Sequence, residues 1–299
     1  MTLHDDTYVT DEADGRTWRL LLGDSCERLR ELADESVDLA VYSPPFSTIY
    51  VYSPSPRDIG NSREAGEYLA HLAYVIRETY RVTKPGRLAC VHIFDIPLTK
   101  STHGRMGLQD IPGDIIRAHE AEGWIYYGRW TIDKNPQTQA KRTRSHALSF
   151  VTLERDSTVS RPALAEYLLI FKKPGDNAVP VKNDVSREEW IAWARPVWLG
   201  IRDTNTLNER IAREDADERH ICPLPLELAE RCVRLYSNPG ELVLSPFAGI
   251  GSEVYTAVRL GRRGVGVELK SSYFHTAVNN LRNLEKELET PALFGELES

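Results

Sequence analysis

Residues 242–252 read Leu-Val-Leu-Ser-Pro-Phe-Ala-Gly-Ile-Gly-Ser, a short apolar run that ends in a turn with two glycines. The run predicts a strand at 242–244, and residues 253–260 predict a helix behind the turn. A second apolar run at 264–268 ends in Glu268. Strand, glycine turn, helix and strand in this order are typical of the start of a doubly wound α/β sheet.

The glycine turn and the acid that follows it indicate a nucleoside site. Glycine lets the backbone approach a ligand closely, and the helix behind the turn offers unpaired N–H groups. Glu268 lies nineteen positions after Gly249, close to the spacing of about 20 at which an acid binds ribose hydroxyls. The third glycine of the dinucleotide fingerprint is missing, which disfavours a dinucleotide oxidoreductase. A tight turn with only a structural role is the alternative.

A second motif, Ser43-Pro44-Pro45-Phe46, follows an alternating apolar strand at 36–42. Prolines cannot continue a central strand, so the chain leaves the sheet at this motif. A hydroxyl, a stiffened carbonyl and an aromatic face are then presented at the carboxyl edge of the sheet, where ligands of such folds bind. The alternative is a rigid turn with a core phenylalanine.

The remaining segments complete an alternating α/β pattern. Further strands are predicted at 17–23, 87–94, 123–132 and 166–172, and further helices at 26–32, 62–82, 224–236 and 271–288. Residues 134–155 are predicted to be a basic loop, and residues 174–219 are predicted to be irregular.

Composition excludes several classes of protein. The chain has 299 residues and a net charge of −7, whereas a protein held to DNA mainly by charge is usually basic. If the protein binds nucleic acid, it must therefore do so through a local basic surface. The longest apolar run, 167–171, is far shorter than the roughly 18 residues of a membrane span. The polar start predicts no signal peptide, and four scattered cysteines without Cys-x-x-Cys spacing predict no metal site.

The two motifs together resemble those of the DNA amino-methyltransferases, which methylate exocyclic amines of bases with S-adenosylmethionine. In that family a Ser/Asp-Pro-Pro-Tyr/Phe catalytic motif pairs with a Phe-x-Gly-x-Gly cofactor motif. Here the catalytic motif comes about two hundred residues before the cofactor motif, which resembles the beta-class order. The resemblance implies a circularly permuted Rossmann-like methyltransferase fold, with a mostly parallel doubly wound sheet and a small target-recognition insertion.

The resemblance also implies an organisation and partners. Residues 1–173 would form the catalytic half, 174–219 the target-recognition region and 220–299 the cofactor-binding half. Double-stranded DNA is the implied substrate. A homodimer and a cognate restriction endonuclease are candidate partners, and the expected location is the cytoplasm of a prokaryote or a phage-infected cell.

Site residues are carried over from the matching motifs. The catalytic set is Ser43, Pro44, Pro45 and Phe46. The cofactor set is Asp24, Ser43, Cys222, Pro223, Ser245, Pro246, Phe247, Ala248, Gly249, Gly251, Ser252, Glu268 and Leu269. The expected DNA contacts are Tyr50, Arg57, Lys134, Lys141, Arg142 and Arg144, with Arg155 in the same basic loop. An ordinary solvated loop is the alternative for the basic residues.

The expected chemistry follows from the target amine, whose lone pair is delocalised into the ring. Ser43 Oγ and the Pro44 carbonyl would accept its hydrogens, and Phe46 would stack on a base flipped out of the duplex. Serine at the first position resembles cytosine-N4 enzymes, and adenine N6 is the alternative. Cytosine C5 is disfavoured because the chain has no Pro-Cys dipeptide. More distant alternatives are an RNA methyltransferase and a protein that binds without catalysis.

Two positions depart from the family pattern. Ser245 stands where family members often have Asp, so one polar contact to the cofactor is in doubt. Phe46 replaces the commoner Tyr, which keeps the stacking face and loses a hydroxyl.

Overall fold

The fold is described from a computed structural model that covers residues 9–45, 57–62, 65–98, 100, 104–143, 145–182, 184–207 and 223–289. The strands are β1 (Asp11–Asp14), β2 (Trp18–Leu22), β3 (Val37–Tyr42), β4 (Thr83–Phe94), β5 (Ile96–Leu98), β6 (Gly107–Gln109), β7 (Ile125–Ile132), β8 (Glu166–Lys172), β9 (Val197–Trp198), β10 (Leu242–Ser245) and β11 (Arg263–Glu268). The helices are α1 (Ser25–Arg28), α2 (Ala65–Val82), α3 (Ile111–Ala121), α4 (Pro136–Thr143), α5 (Phe150–Arg155), α6 (Arg187–Trp193), α7 (Leu226–Tyr236), α8 (Ser252–Arg259) and α9 (Ser271–Glu289).

The described strands form one large sheet in the order β1-β2-β11-β10-β3-β4-β8-β7-β9, and β5 pairs with β6 apart from it. Strands β2, β11, β10, β3 and β4 run parallel, and β8 is antiparallel to both of its neighbours. The carboxyl ends of the five parallel strands therefore meet at one edge. The predicted mostly parallel, doubly wound α/β fold is confirmed.

Alternation along β3 shows how the sheet is covered on both faces. Leu39 and Val41 join a buried cluster with α7 residues, whereas Ala40 and Tyr42 join the cluster beneath α2 and α3. Successive side chains of a strand point to opposite faces, so a strand with helices on both sides is apolar throughout.

A crevice lies where the chain changes from one face of the sheet to the other. Helix α8, which connects β10 to β11, packs on the face that carries α7 and α9. Helix α2, which connects β3 to β4, packs on the opposite face. Because β10 and β3 are neighbours, the switch point lies between them, and ligands of open α/β sheets bind outside such a point.

At the amino-terminal ends of the parallel strands, a buried carboxylate joins the two halves of the chain. Asp38, 2% exposed, accepts a hydrogen bond from the Leu242 backbone N–H at 2.9 Å and pairs with Lys84 and Arg87. Arg87 is itself buried and also pairs with Glu241. Strand β3 is thereby held against β4 on one side and β10 on the other.

The structure corrects two predictions. The predicted loop at 134–155 contains α4, a 3₁₀ turn at His146–Leu148, and α5. These helices are short and α4 is mostly polar, so no apolar period marks it. In the stretch predicted to be irregular, α6 begins with a capping box between Ser186 and Glu189, and β9 extends the sheet beside β7. Strands β1, β5 and β6 and helix α3 were not predicted.

None of the helices in the ranges given above combines the length and the apolar character that a membrane span requires. Those residues also contain no group of three or more His, Cys, Asp or Glu side chains arranged to hold a metal ion.

The Asp38 contacts predict a large loss of stability on truncation. Asp38→Ala leaves the buried Arg87 short of a counter-charge and should lower the free energy of unfolding by about 3 kcal/mol or more. Asp34→Ala is the matched control, because its carboxylate is 74% exposed where it pairs with Arg81, and an exposed pair contributes about 1 kcal/mol or less. Urea denaturation measures both. Equal losses for the two variants would contradict the role given to Asp38.

Candidate functional site

A cavity lies at the carboxyl edge of the sheet, over the ends of β3, β10 and β11, and both halves of the chain line it. The predicted residues that it brings together are Asp24, Ser43, Pro44, Pro45, Pro223, Pro246, Phe247, Ala248, Gly249, Ser252, Glu268 and Leu269. Residues about two hundred positions apart in the sequence thus share one site because β10 inserts between β3 and β11.

Glu268, at the end of β11, is held in place by the backbone. Its Oε2 accepts a hydrogen bond from the Gly249 N–H at 2.8 Å, and its Oε1 accepts one from the Lys270 N–H at 2.8 Å. Each oxygen keeps acceptor capacity for a ligand. Burial raises the pKa of this carboxyl to about 7, against the opposing effect of the two backbone hydrogen bonds. A fixed acceptor of this kind suits the paired hydroxyls of a ribose.

Glycine is favoured at the two positions of the turn for different structural reasons. Gly249 has φ +54°, and a Cβ built there would meet no atom within 4 Å, so its missing side chain leaves room in the cavity. Gly251 has φ +91°, and a Cβ there would lie 3.1 Å from the Ala277 Cβ of α9. Gly251 does not line the cavity but packs against α9, and its predicted cofactor contact stays a prediction.

Asp24 and Arg57 line the cavity beyond the carboxyl end of β2. The Asp24 side chain caps α1 by accepting from the Cys26 N–H at 2.8 Å, and Arg57 Nη1 lies 3.2 Å from Asp24 Oδ2. Arg57 also pairs with Glu27 at 2.7 Å. Arg57 was predicted to contact DNA. The structure instead places it in the cavity wall with its charge paired, because it lies beside two carboxylates.

The hydroxyl of Ser43 has a defined direction. Ser43 Oγ donates its proton to the backbone carbonyl of His92, at 3.1 Å, where β4 nears its end. A hydroxyl has one proton to donate. Toward the cavity, Ser43 Oγ can therefore act only as an acceptor, which is the role that a bound N–H group requires.

Behind Ser43 lies a largely buried chain of polar side chains that hydrogen-bond and ion-pair with one another. His92 Nε2 is 2.9 Å from Glu166 Oε2, and Lys134 Nζ is 2.7 Å from the same oxygen and also pairs with Asp203. Burial raises the pKa of Glu166, but the hydrogen bond from His92 and the charge of Lys134 outweigh it and lower the pKa to about 2. The strand end under Ser43 is thus tied to the segment after β9.

Lys134 was predicted to contact DNA phosphates, and this prediction is wrong. Its side chain is 5% exposed and its ammonium group is paired with two carboxylates. Lys141 and Arg155 are exposed, on α4 and α5 respectively. Both helices follow the carboxyl end of β7, at the sheet edge that also carries Ser43.

Several predicted residues lie elsewhere or outside the described part of the chain. Ser245 is fully buried at the end of β10 and does not line the cavity, and its predicted contact to a cofactor stays a prediction. The residues outside the described ranges are Phe46, Tyr50, Arg144 and Cys222, and the side chain of Arg142 is likewise not described.

Several cavity residues were missed from the sequence. Asp58, which is buried, caps a 3₁₀ turn by accepting from the Gly60 N–H. Lys270 lies 4.4 Å from the ring centre of Tyr273 in a cation–π contact. Glu253 also lines the cavity. None of these four carried a distinctive signal in the sequence, because an acidic residue in the first turn of a helix, such as Glu253, is common.

Comparison with known proteins gives a family. The sequence matches the N6/N4 methyltransferase family, described as DNA methylases, over residues 37–279. A similar curated protein is the type II methyltransferase M.MjaI of Methanocaldococcus jannaschii, 27% identical over 288 residues that cover 85% of this chain and 88% of that protein. The type II methyltransferase M.BglI of Bacillus subtilis is 23% identical over 87% of this chain and 84% of its own.

Two solved structures share the fold. A Thermus thermophilus protein assigned as a DNA modification methylase, solved with S-adenosyl-L-methionine, superposes with a TM-score of 0.66 at 26% identity, over 88% of this chain and 92% of that chain. The PvuII DNA methyltransferase, described as cytosine-N4-specific, gives a TM-score of 0.61 at 16% identity, over 91% of this chain and 92% of that chain. The second likeness bears on the fold alone.

The environment of Glu268 predicts that nucleoside binding depends on pH. A ribose binds the ionised carboxylate, and the free carboxyl has a pKa of about 7. Below pH 7, binding must first remove a proton, so the Kd for adenosine should rise by up to about tenfold per pH unit. Above about pH 8 the Kd should be constant. Isothermal titration calorimetry between pH 5.5 and 8.5 measures this.

The controls separate Glu268 from other titrating groups. 2′,3′-Dideoxyadenosine lacks the hydroxyls, so its weaker binding should not follow the same pH profile. Glu268→Gln should weaken adenosine binding and flatten its profile. An unchanged adenosine profile in Glu268→Gln would remove this carboxylate from the ribose site.

Proposed function

Since this chain belongs to the N6/N4 family of DNA methylases, we propose that it transfers a methyl group from S-adenosylmethionine to the N4 amine of cytosine in DNA. The observation that carries the proposal is that one cavity holds both Glu268, a carboxylate fixed by two backbone N–H groups, and Ser43, whose hydroxyl donates to the His92 carbonyl.

The cavity suits this cofactor in shape and charge. Strands in a sheet lie about 4.8 Å apart, so the ends of β11 and β3 are separated by about 10 Å across β10. A nucleoside that is bound by its ribose at Glu268 can extend its 5′ substituent across β10 toward Ser43. The cofactor is a cation, and Asp24, Asp58, Glu253 and Glu268 outnumber the basic residues of the wall. When bound, S-adenosylmethionine supplies an electrophilic methyl group.

The protein's task is to make a poor nucleophile available. The lone pair of an exocyclic amine is delocalised into the base, and hydrogen bonds accepted from its two N–H groups favour a pyramidal nitrogen. Ser43 Oγ is fixed as an acceptor by its bond to the His92 carbonyl, and the rigid Pro44 carbonyl supplies the second acceptor. Both also stabilise the positive charge that the nitrogen gains during transfer. We assign Phe46 to stacking on the flipped base.

The choice of cytosine rests on Ser43 in the catalytic motif. A hydroxyl is a neutral acceptor, whereas the Asp of related motifs carries a full charge. The same cavity can also accept the N6 amine of adenine, so the identity of the product decides between the two bases.

DNA would approach the edge of the sheet that carries Ser43. Helices α4 and α5 lie at this edge and expose Lys141 and Arg155, and α5 also exposes Phe150. We assign phosphate contacts to this basic segment and to Arg142 and Arg144. Residues 174–219 are the proposed recognition region. Assembly as a homodimer and a cognate restriction endonuclease stay predictions.

The role of Ser43 as an acceptor predicts that catalysis and cofactor binding are separable. Ser43→Ala should reduce methyl transfer by about a hundredfold or more, since it removes a preorganised group that stabilises developing charge. The Kd for S-adenosylhomocysteine should stay within about twofold of the parent value, because we assign the Ser43 hydroxyl to the base and the ribose to Glu268. Label transfer from methyl-tritiated cofactor to genomic DNA, with calorimetry, measures both quantities.

The assay needs DNA from a host without its own amino-methyltransferases. Glu268→Gln is the matched control, because it should weaken cofactor binding instead. Equal methyl transfer by Ser43→Ala and the parent would contradict the proposed mechanism. Failure of the folded parent chain to label DNA would contradict the proposed function.

A further inference from the structure

Glu253 is a buried acid that the catalytic proposal does not use. It lies in the first turn of α8, is 4% exposed and lines the same cavity as Glu268 and Ser43. Among the residues that the structure describes, no Lys, Arg or His side chain pairs with it. An ionised carboxylate is costly to bury unless it is paired. Its neighbours in the fold therefore do not account for it.

The position of Glu253 on α8 shows which side of the helix carries it. Ala257, one turn later on the same helix face, packs against Leu228 and Cys232 of α7. Val254 and Val258 instead pack toward α9 and β2. Glu253 thus lies on the side of α8 that faces α7.

The chain that leads into α7 supplies the opposite wall. Pro223 and Leu224, just before α7, line the same cavity. Glu268 lies at the end of β11, which is the neighbour of β10 on the side away from β3 and contacts α9. A ligand whose ribose is bound at Glu268 and whose 5′ substituent crosses β10 therefore extends toward Glu253.

A carboxyl group with only a structural role would be expected to have a basic partner, and Glu253 has none among the described residues. Burial raises the pKa of Glu253 to about 8, and the nearby charge of Glu268 adds to the effect. A cationic group on the ligand would supply the missing counter-charge and favour the ionised form. The 5′ substituent of S-adenosylmethionine ends in an amino acid, which carries an α-ammonium group.

The other carboxylates that line the cavity already have partners. Asp24 caps α1 and pairs with Arg57, and Asp58 accepts from the Gly60 N–H. Glu268 accepts from two backbone N–H groups. Among the described residues of the cavity wall, Glu253 is therefore the carboxylate placed to receive an ammonium group.

We infer that Glu253 binds the α-ammonium group of the amino-acid portion of the cofactor. This inference rests on the proposed function, because it takes S-adenosylmethionine as the ligand. It adds a residue that distinguishes the amino-acid portion of the cofactor from its nucleoside portion.

Two ligands separate this contact from general damage to the site. S-Adenosylhomocysteine carries the amino-acid portion, and 5′-methylthioadenosine has the same nucleoside and sulfur without it. Calorimetry gives the Kd of each for the full chain and for Glu253→Gln, which keeps the size of the side chain. The Kd of S-adenosylhomocysteine should rise by about tenfold to a hundredfold, the effect of losing a charge-assisted hydrogen bond. The Kd of 5′-methylthioadenosine should stay unchanged.

Glu268→Gln provides the matched control, since both ligands carry the ribose and both should bind more weakly. Parallel losses for the two ligands in Glu253→Gln would overturn the inference, and so would unchanged binding of S-adenosylhomocysteine. If the folded parent chain binds neither ligand, the proposed function itself fails. Binding of both ligands by the parent, with no selective loss in Glu253→Gln, overturns only the role of Glu253.

Discussion

The pairing of β10 with β3 is the contact on which the site depends. Leu39 and Ala40 pair with Val243 and Leu244, and the Asp38 side chain adds a hydrogen bond to the Leu242 N–H at the start of the pair. This short parallel ladder places a strand from the end of the chain beside one from its beginning. Because the strands run parallel, their carboxyl ends meet, and the glycine turn after β10 lies beside the Ser-Pro-Pro turn after β3. Without this pairing, each half would carry only part of the site.

Electrostatics divide the cavity and its surroundings into parts with different tasks. The cavity wall is rich in carboxylates, and burial raises the pKa values of two of them, Glu253 and Glu268. The charge of Glu268 adds to the effect on Glu253, and the charge of Asp58 adds to the effect on Glu268. Such a wall favours a cationic ligand. Behind Ser43, the chain from His92 through Glu166 to Lys134 is instead fully paired. That pairing stabilises the end of β4, whose carbonyl at His92 orients the Ser43 hydroxyl. Lys134 also ties this end to Asp203, in the segment that follows β9.

Local sequence was sufficient for the central sheet and much of the cavity. Alternation at 36–42, the run at 242–244 and the glycine turn each carry a short-range signal, and β8 was predicted with its observed bounds. Other features depend on distant partners. From the sequence alone, Lys134 is expected to be a solvated cation, because its partners Glu166 and Asp203 are distant in the chain. Arg57 looks like part of a surface loop, but it pairs with Asp24 across the fold. Helix α4 lacks an apolar period because it is mostly polar. Contacts of this kind are set by tertiary structure, so residue type and spacing do not reveal them.

The central claim is that Ser43 directs methyl transfer to an exocyclic amine of DNA, and that this amine is N4 of cytosine. The most direct test is mass spectrometry of nucleosides from the DNA of cells that express the chain, in a host without amino-methyltransferases of its own. The account predicts N4-methylcytosine with the parent chain and none with Ser43→Ala. N6-methyladenine in its place would contradict the choice of base. Neither product from folded, expressed protein would contradict the assignment of methyl transfer to DNA.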